Sequence, residues 1–325
     1  MAKSNVPLKI AISDYPHTAA IKSGEIPIAG VTPEFVKVVP QIAAYRRMVR
    51  DVEFDVCELA SSTYAIARAY GAPFTALPIF LSRRFHHSGL RIRPEAAIRD
   101  PKDLEGKKVG VRAYSVTTAV WARGVFQEEY GLDLSKVAWV IDDEEHVSEL
   151  VLPPNVVWAP KGRSLGDMMT AGELEAGFEA NAGIGRAGPP VAGWNASQGP
   201  APEFPDLFPD AEPLEAAWFR KTGIYPIHGL IAVKEELLAE HPWLADSLNE
   251  AFAKAKSAWL SRLQAGESHD PLDKKYRKLS RIVGDDPLPF GVAQNRASID
   301  ALQRFCVDQK LMPKALPIDR LFVGA

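Results

Sequence analysis

The chain has 325 residues, 46% hydrophobic and 24% charged, enough for two domains of ordinary size or one large α/β unit with a real core. A formal charge of −3 and 38 scattered basic residues argue against a nucleic-acid or anionic-membrane partner. Cys57 and Cys306 lie far apart in sequence, and Cys57 falls in an apolar strand, so free thiols of a reducing compartment are expected rather than a disulfide. The N-terminal MAKSNVPLKIAISDYPH runs directly into a strand pattern with no apolar signal segment, and no run is long enough to span a membrane. The expected location is the cytoplasm.

Strand and helix signals alternate from the start. LKIAI (8–12) reads as a strand, residues 26–39 as a turn and a second strand, and PQIAAYRRMVR (40–50) as a helix opened by proline. Arg46, Arg47 and Arg50 on that helix read as a solvated face. A strand over 54–59 and a helix over 62–70 follow, then apolar PFTALPIF and basic RRFHHSGLRIR (83–93). A fresh strand-loop-helix block begins near residue 95, with another strand over 133–141 (KVAWVI). Residues 152–213 are rich in proline and glycine, with Trp194, Phe204 and Phe208 as apolar anchors, and suggest a functional segment or an oligomer contact. Within them, 163–181 reads as a short helix and a strand. GIYPIHGLIAV (223–233) is a β-branched strand. Two or three amphipathic helices close the chain, one with Leu244, Leu248, Phe252, Ala255 and Leu260 near helical spacing. The alternation implies an α/β fold built on a mainly parallel, doubly wound sheet.

Two stretches share one plan. Residues 106–131, GKKVGVRAYSVTTAVWARGVFQEEYG, and residues 54–71, FDVCELASSTYAIARAYG, each read as strand, hydroxyl-bearing loop, and helix ended by glycine. Tyr114, Ser115, Thr117 and Thr118 in the first, and Ser61, Ser62 and Thr63 in the second, gather where backbone N–H groups and a positive dipole end await an anion. Either site alone is explained by capping. Together they suggest a clamp for a small dianion.

Several segments, in order along nearly the whole chain, resemble the 4,5-dihydroxyphthalate decarboxylase family: FDVCELASSTY, RRFHHSGL, DLEGKKVGVRAYSVTTAVWARG, WVIDDEEHV, GRSLGDMMTAGEL and TGIYPIHG. The chain departs from the family at Asp14-Tyr15-Pro16-His17-Thr18, where many relatives have an Asp-Tyr-Asp-Arg-Thr pattern, and at Arg112-Ala113-Tyr114, where wider members have Pro-Glu-Tyr. The resemblance implies a two-lobed fold of the type II periplasmic-binding-protein kind. Leu90–Arg93 and Ile227–Val233 would be its crossing strands. Lobe one would then hold residues 1–92 and 228–325, and lobe two 93–227, with the ligand between them at the carboxyl ends of the strands.

The implied reaction removes CO2 from a dihydroxylated aromatic dicarboxylate without oxidation, giving 3,4-dihydroxybenzoate in phthalate degradation. It needs an acid for the ring carbon, an acceptor for ring hydroxyls and a holder for the carboxylate that stays. Histidine suits the proton steps, and the candidates are His86, His87 and His228, with His17 in reserve. His86 and His87 lie in a strand-like segment, so only one would face a cleft. His146 and His241 read as surface or capping residues, and His269 gets no role. Arginine suits carboxylates through its two-bonded fork, which singles out Arg112, with Arg83 and Arg84 beside the histidines.

No metal-ligand spacing is present, so no cofactor is expected, with a divalent ion on the catecholic oxygens as the minority alternative. The implied partner is a small aromatic dicarboxylate, with a homo-oligomer left open. Two other readings stay open: a solute-binding protein for an aromatic dicarboxylate, and an enzyme of another chemistry on this scaffold, such as those of menaquinone or thiamine-precursor pathways.

Overall fold

A computed structural model describes residues 5–185, 203–267 and 270–324. Trp194, His269 and most of the stretch 182–213 lie outside the described residues. The chain divides into two compact units: Met1–Arg84, Lys221–Asp300 and Leu316–Ala325 in one, Phe85–Arg220 and Ala301–Ala315 in the other. The borders therefore fall at Arg84 and Arg220 rather than at 92 and 227, and a short C-terminal piece joins the second unit. Pairing explains the first shift, because Leu90–Ile92 is a strand of the second sheet, antiparallel to Ala176–Phe178.

The first unit is built on a five-stranded sheet of order β2-β1-β3-β10-β4. In chain order these strands are β1 (Val6–Ala11), β2 (Val31–Phe35), β3 (Val56–Ala60), β4 (Phe74–Arg83) and β10 (Ile227–Lys234). β1, β2 and β3 run parallel, while β10 runs antiparallel between β3 and β4. β1 alternates buried Leu8 and Ile10 with exposed Pro7 and Lys9, whereas all five residues of β3 are buried, as expected of an edge-ward and a central strand. Pro78 is tolerated because β4 ends the sheet; its outer side meets the chain terminus instead, where Val323 N donates to Ala76 O at 3.0 Å.

Four helices matter here: α1 (Ala19–Lys22), α2 (Ile42–Asp51), α3 (Ser61–Ala69) and, on the opposite face from α3, α8 (Leu244–Ala265). Leu244, Leu248, Ala251, Phe252 and Ala255 of α8 pack on Ile10, Ile79, Leu81, Ile231 and Val233. The stripe continues through Trp259 and Leu263, not through Leu260, since 259 and 263 keep the four-residue step from 255. α9 (Pro271–Val283) follows, capped by Asp270, whose side chain accepts from Leu272 N.

The second unit holds β5 (Leu90–Ile92), β6 (Lys108–Gly110), β7 (Ala138–Ile141), β8 (Val156–Trp158) and β9 (Ala176–Phe178) in the order β5-β9-β6-β7-β8. All neighbours are parallel except β5 and β9. α4 (Thr117–Tyr130) follows β6 and ends at Gly131, whose φ of +66° is the left-handed stop that the sequence signals. α5 (Leu165–Ala171) contributes Leu165, Met168 and Met169 to a core with Val140, Leu174 and Ile184. Phe204 packs on this core, and the Phe208 ring lies tilted against Tyr130 with centroids 5.4 Å apart, so both act as anchors. The chain also forms α6 (Glu212–Thr222), α7 (Glu235–Glu240) and α10 (Val292–Asp308). No helix of the described residues is long and apolar enough to cross a membrane.

Candidate active site

Open α/β sheets bind ligands beyond the carboxyl ends of their strands. In the first unit that edge gathers the loop after β1, the end of β3, the end of β4 and, because β10 is antiparallel, the start of β10. Its centre is Glu58 on β3, a buried carboxylate. It accepts from Ser13 N at 2.9 Å, Tyr15 Oη at 2.6 Å and Tyr45 Oη at 3.2 Å. Among the described residues it makes no ion pair. Gly229 of β10 leaves room for it: a Cβ there would stand 3.0 Å from Glu58 Oε1 and 2.7 Å from Ser82 Oγ. Burial, then the Glu58 charge, raises the pKa of both tyrosines, so both hydroxyls stay protonated.

His17 lies under the same roof. Its ring stacks on Tyr15 at 5.0 Å and meets Trp259 at 5.3 Å and Tyr276 at 6.2 Å. Burial drives its pKa down to about 3 against a smaller opposing pull from the Leu81 backbone. Neither ring nitrogen completes a hydrogen bond of good geometry among the described residues. His228 Nε2 lies 3.5 Å from Arg84 Nη2. A guanidinium only donates, so this nitrogen is the acceptor and the ring is neutral. Burial, then the charges of Arg84 and Lys275, holds the pKa well below 6.5.

The neighbouring arginines differ in duty. Arg83 is buried and engaged by Asn295 Oδ1, the Tyr225 carbonyl and Ser298 Oγ, with its guanidinium 4.3 Å over the Tyr225 ring. Burial lowers its pKa to about 10. Arg84 is only partly buried. At the start of α3, Ser61 Oγ donates to the Ile227 carbonyl at 2.6 Å and ties the helix to β10. Ser62 and Thr63 are buried in the first turn.

The second hydroxyl-bearing helix start is complete within the other unit, and its anion is the chain's own. Glu145 accepts from Tyr114 N at 2.6 Å, from Ser115 N at 3.2 Å and from the Ser115 hydroxyl. Burial raises its pKa, opposed by these hydrogen bonds and by Arg112. Arg112, expected to offer its fork to a substrate carboxylate, donates from Nη1 to Asp143 at 3.0 Å and from Nε to the Asn181 carbonyl at 2.9 Å. Both side chains of that ion pair are essentially inaccessible, at 2% and 0% exposure. Thr117 and Thr118 are buried in the first turn of α4. Beneath them Arg123 lies 3.8 Å over the Tyr114 ring and donates to Gln309 Oε1 at 2.8 Å.

His86 and His87 do not lie in a strand, so the alternation expected of them does not hold; both are buried in the loop between β4 and β5. The His87 ring meets Trp218 edge-on at 5.5 Å, and burial lowers its pKa to about 4. His146 is buried rather than on the surface, while His241 ends α7 against Trp243. Sequence reasoning passed over Tyr15, Tyr45, Glu58, Arg123, Asp143 and Glu145. The available sign was a lone carboxylate inside the apolar run VCELA (56–60); the acidic run Asp142–Glu145 has the pattern of a solvated loop. Among the described residues no group of three His, Cys, Asp or Glu is placed to hold a metal ion.

No family profile matches the chain. Two characterised relatives do. The 4,5-dihydroxyphthalate decarboxylase of Comamonas testosteroni is 31% identical over 309 residues, covering 91% of this chain and 90% of that protein. The enzyme of the same name from Pseudomonas putida is 36% identical over 177 residues, covering 52% and 68%. Among solved structures, the alkanesulfonate-binding protein of Xanthomonas axonopodis pv. citri superposes with a TM-score of 0.53 at 13% identity, covering 99% of both chains. The periplasmic aliphatic sulphonate-binding protein of Escherichia coli gives 0.54 at 11%, covering 98% of both. These likenesses establish the periplasmic-binding-protein fold and nothing about the ligand. The identity to the Comamonas enzyme across nearly the whole chain carries more: this protein belongs to the 4,5-dihydroxyphthalate decarboxylase family.

Proposed function

We propose that the chain decarboxylates 4,5-dihydroxyphthalate to 3,4-dihydroxybenzoate in phthalate degradation. The observation that carries this reading is near full-length relatedness to a decarboxylase of that name. The net reaction consumes one proton: a substrate dianion becomes a product monoanion and CO2. The ring carbon gains the proton, the carbon–carboxylate bond breaks, and its electron pair restores the aromatic ring. Withdrawing a proton from the ring hydroxyl para to that carbon drives electrons into the ring.

The neutral state of His17 and His228 favours acceptor roles toward ring hydroxyls over an imidazolium donor. Arg84, partly exposed beside His228, is the arginine we assign to the carboxylate that stays. We take the reaction to run without a cofactor, in the cytoplasm. The two buried free thiols, Cys57 and Cys306, support a reducing setting, and cell fractionation checks it.

The direct test is to incubate the pure protein with 4,5-dihydroxyphthalate, with and without a chelator, and to follow CO2 and 3,4-dihydroxybenzoate. Equimolar formation of both, unaffected by the chelator, is expected. Tight binding without turnover would instead identify a solute-binding protein. Loss of turnover with the chelator would assign the reaction to a metal ion.

A further inference from the structure

The carboxyl edge of the first sheet contains a directional chain of hydrogen bonds that begins at Tyr15, a half-buried residue, and ends on a buried carboxylate. Glu58 can only accept while ionised, so Tyr15 and Tyr45 each direct their single hydroxyl hydrogen at it. A tyrosine so committed keeps only lone pairs for other partners. Whatever approaches the Tyr15 oxygen must therefore bring a hydrogen, as a phenolic hydroxyl does. Glu58 has 1% exposure, and among the described residues no cation pairs with its carboxylate. Gly229 keeps the space around its carboxylate clear of a side chain.

Resting on the decarboxylase reading, we propose that Tyr15 and Glu58 are the base relay of the reaction, Tyr15 receiving the hydrogen of a substrate ring hydroxyl as it hands its own to Glu58. The substrate oxygen becomes a phenolate and its electrons enter the ring. The ring carbon takes a proton drawn from water, and CO2 departs. The electron pair of the broken bond returns to the ring and thence to the oxygen, and the proton on Glu58 travels back through Tyr15. The relay is thus unchanged after each turnover, and the only net reactants are the substrate and one proton. His17, stacked on Tyr15 with a neutral ring, stands beside this route to accept from the adjacent hydroxyl of a catechol. The ligand class follows: an aromatic ring with two neighbouring hydroxyls.

The experiment compares wild type with Tyr15→Phe, Glu58→Gln and the double variant, using turnover of 4,5-dihydroxyphthalate and the ultraviolet spectrum of bound 3,4-dihydroxybenzoate. Each single change should lower kcat about 10²-fold or more with KM within a few-fold. The double variant should be no slower than the worse single, because the two groups act as one unit. The phenolate band of the bound product should vanish in Tyr15→Phe while calorimetry still shows binding. A folded Tyr15→Phe with wild-type kcat, or single losses that multiply in the double variant, overturns the relay. If Glu58→Gln does not fold, Tyr15→Phe decides alone through kcat and the phenolate band. No turnover by wild type overturns the decarboxylase reading and the relay with it, whereas turnover alongside an unimpaired Tyr15→Phe removes the relay only.

Discussion

Arg112 is the arginine that the sequence favours for a substrate carboxylate and Arg84 a secondary candidate, but their surroundings reverse that order. Arg112 is sealed into an ion pair with Asp143, and its Nε holds the Asn181 carbonyl. Removing one partner of such a pair strands the other charge in the interior, at a cost of about 3–5 kcal/mol. Arg112→Ala should therefore lower the urea midpoint strongly while the folded fraction keeps a KM near wild type. Arg112→Lys retains the charge, loses the planar fork and should fall between the two. Arg84→Ala should do the reverse: unfolding unchanged, and KM raised by the worth of one charge-assisted hydrogen bond, about 1.5–3 kcal/mol. Urea titration beside steady-state kinetics separates the pair, and a raised KM with normal stability in Arg112→Ala would return that residue to the site.

At the level of elements, the start of α4 shows why a helix terminus needs a partner identified before it is called a binding site. Val116 at the cap position supplies no side-chain bond, and the preceding amides of Tyr114 and Ser115 are held by Glu145. Because burial raises its pKa above the ordinary 4.5, Glu145 binds its proton more tightly folded than unfolded. Its contribution to stability is complete below 4.5 and declines as pH rises through the raised value. Glu145→Gln does not titrate, so the stability difference between wild type and this variant should shrink as pH rises from 4. A pH-independent difference would contradict the assignment.

The sequence made the helix itself legible, from the hydroxyls near Thr117 to the stop at Gly131, because caps and stops are local. The occupant of its cradle was not legible, because Glu145 lies thirty residues beyond Ser115 and only tertiary structure joins them. The strand–helix order and the paired helix starts were likewise readable from period and turn chemistry. β8 was not, being three residues in a proline-rich run. Glu58 was the reverse case, plainly visible in an apolar strand, yet its meaning depends on Tyr15 and Tyr45, which arrive from other elements.

Over the whole molecule, the buried histidines distribute acid sensitivity unevenly between the units. His17 and His228 belong to the first unit and His87 to the second. Each is held neutral by burial, with a folded pKa of about 3 for His17, about 4 for His87 and well below 6.5 for His228. The unfolded chain binds these protons first, so the stability they contribute is complete above about pH 6.5 and is lost as pH falls toward the folded values. Each group fully in that window contributes a slope of up to about 1.4 kcal/mol per pH unit. Of these three groups two lie in the first unit and one in the second, where Glu145 acts in the opposite direction. Amide hydrogen exchange between pH 6.5 and 5, corrected for intrinsic rates, should therefore show protection in β1, β3 and β10 falling more steeply than in β6 and β7. His17→Phe, which keeps a ring against Tyr15, Trp259 and Tyr276, should flatten the slope in the first unit and leave the second untouched. Equal slopes in both units, or an unchanged slope in His17→Phe, would show that these imidazoles do not govern acid unfolding.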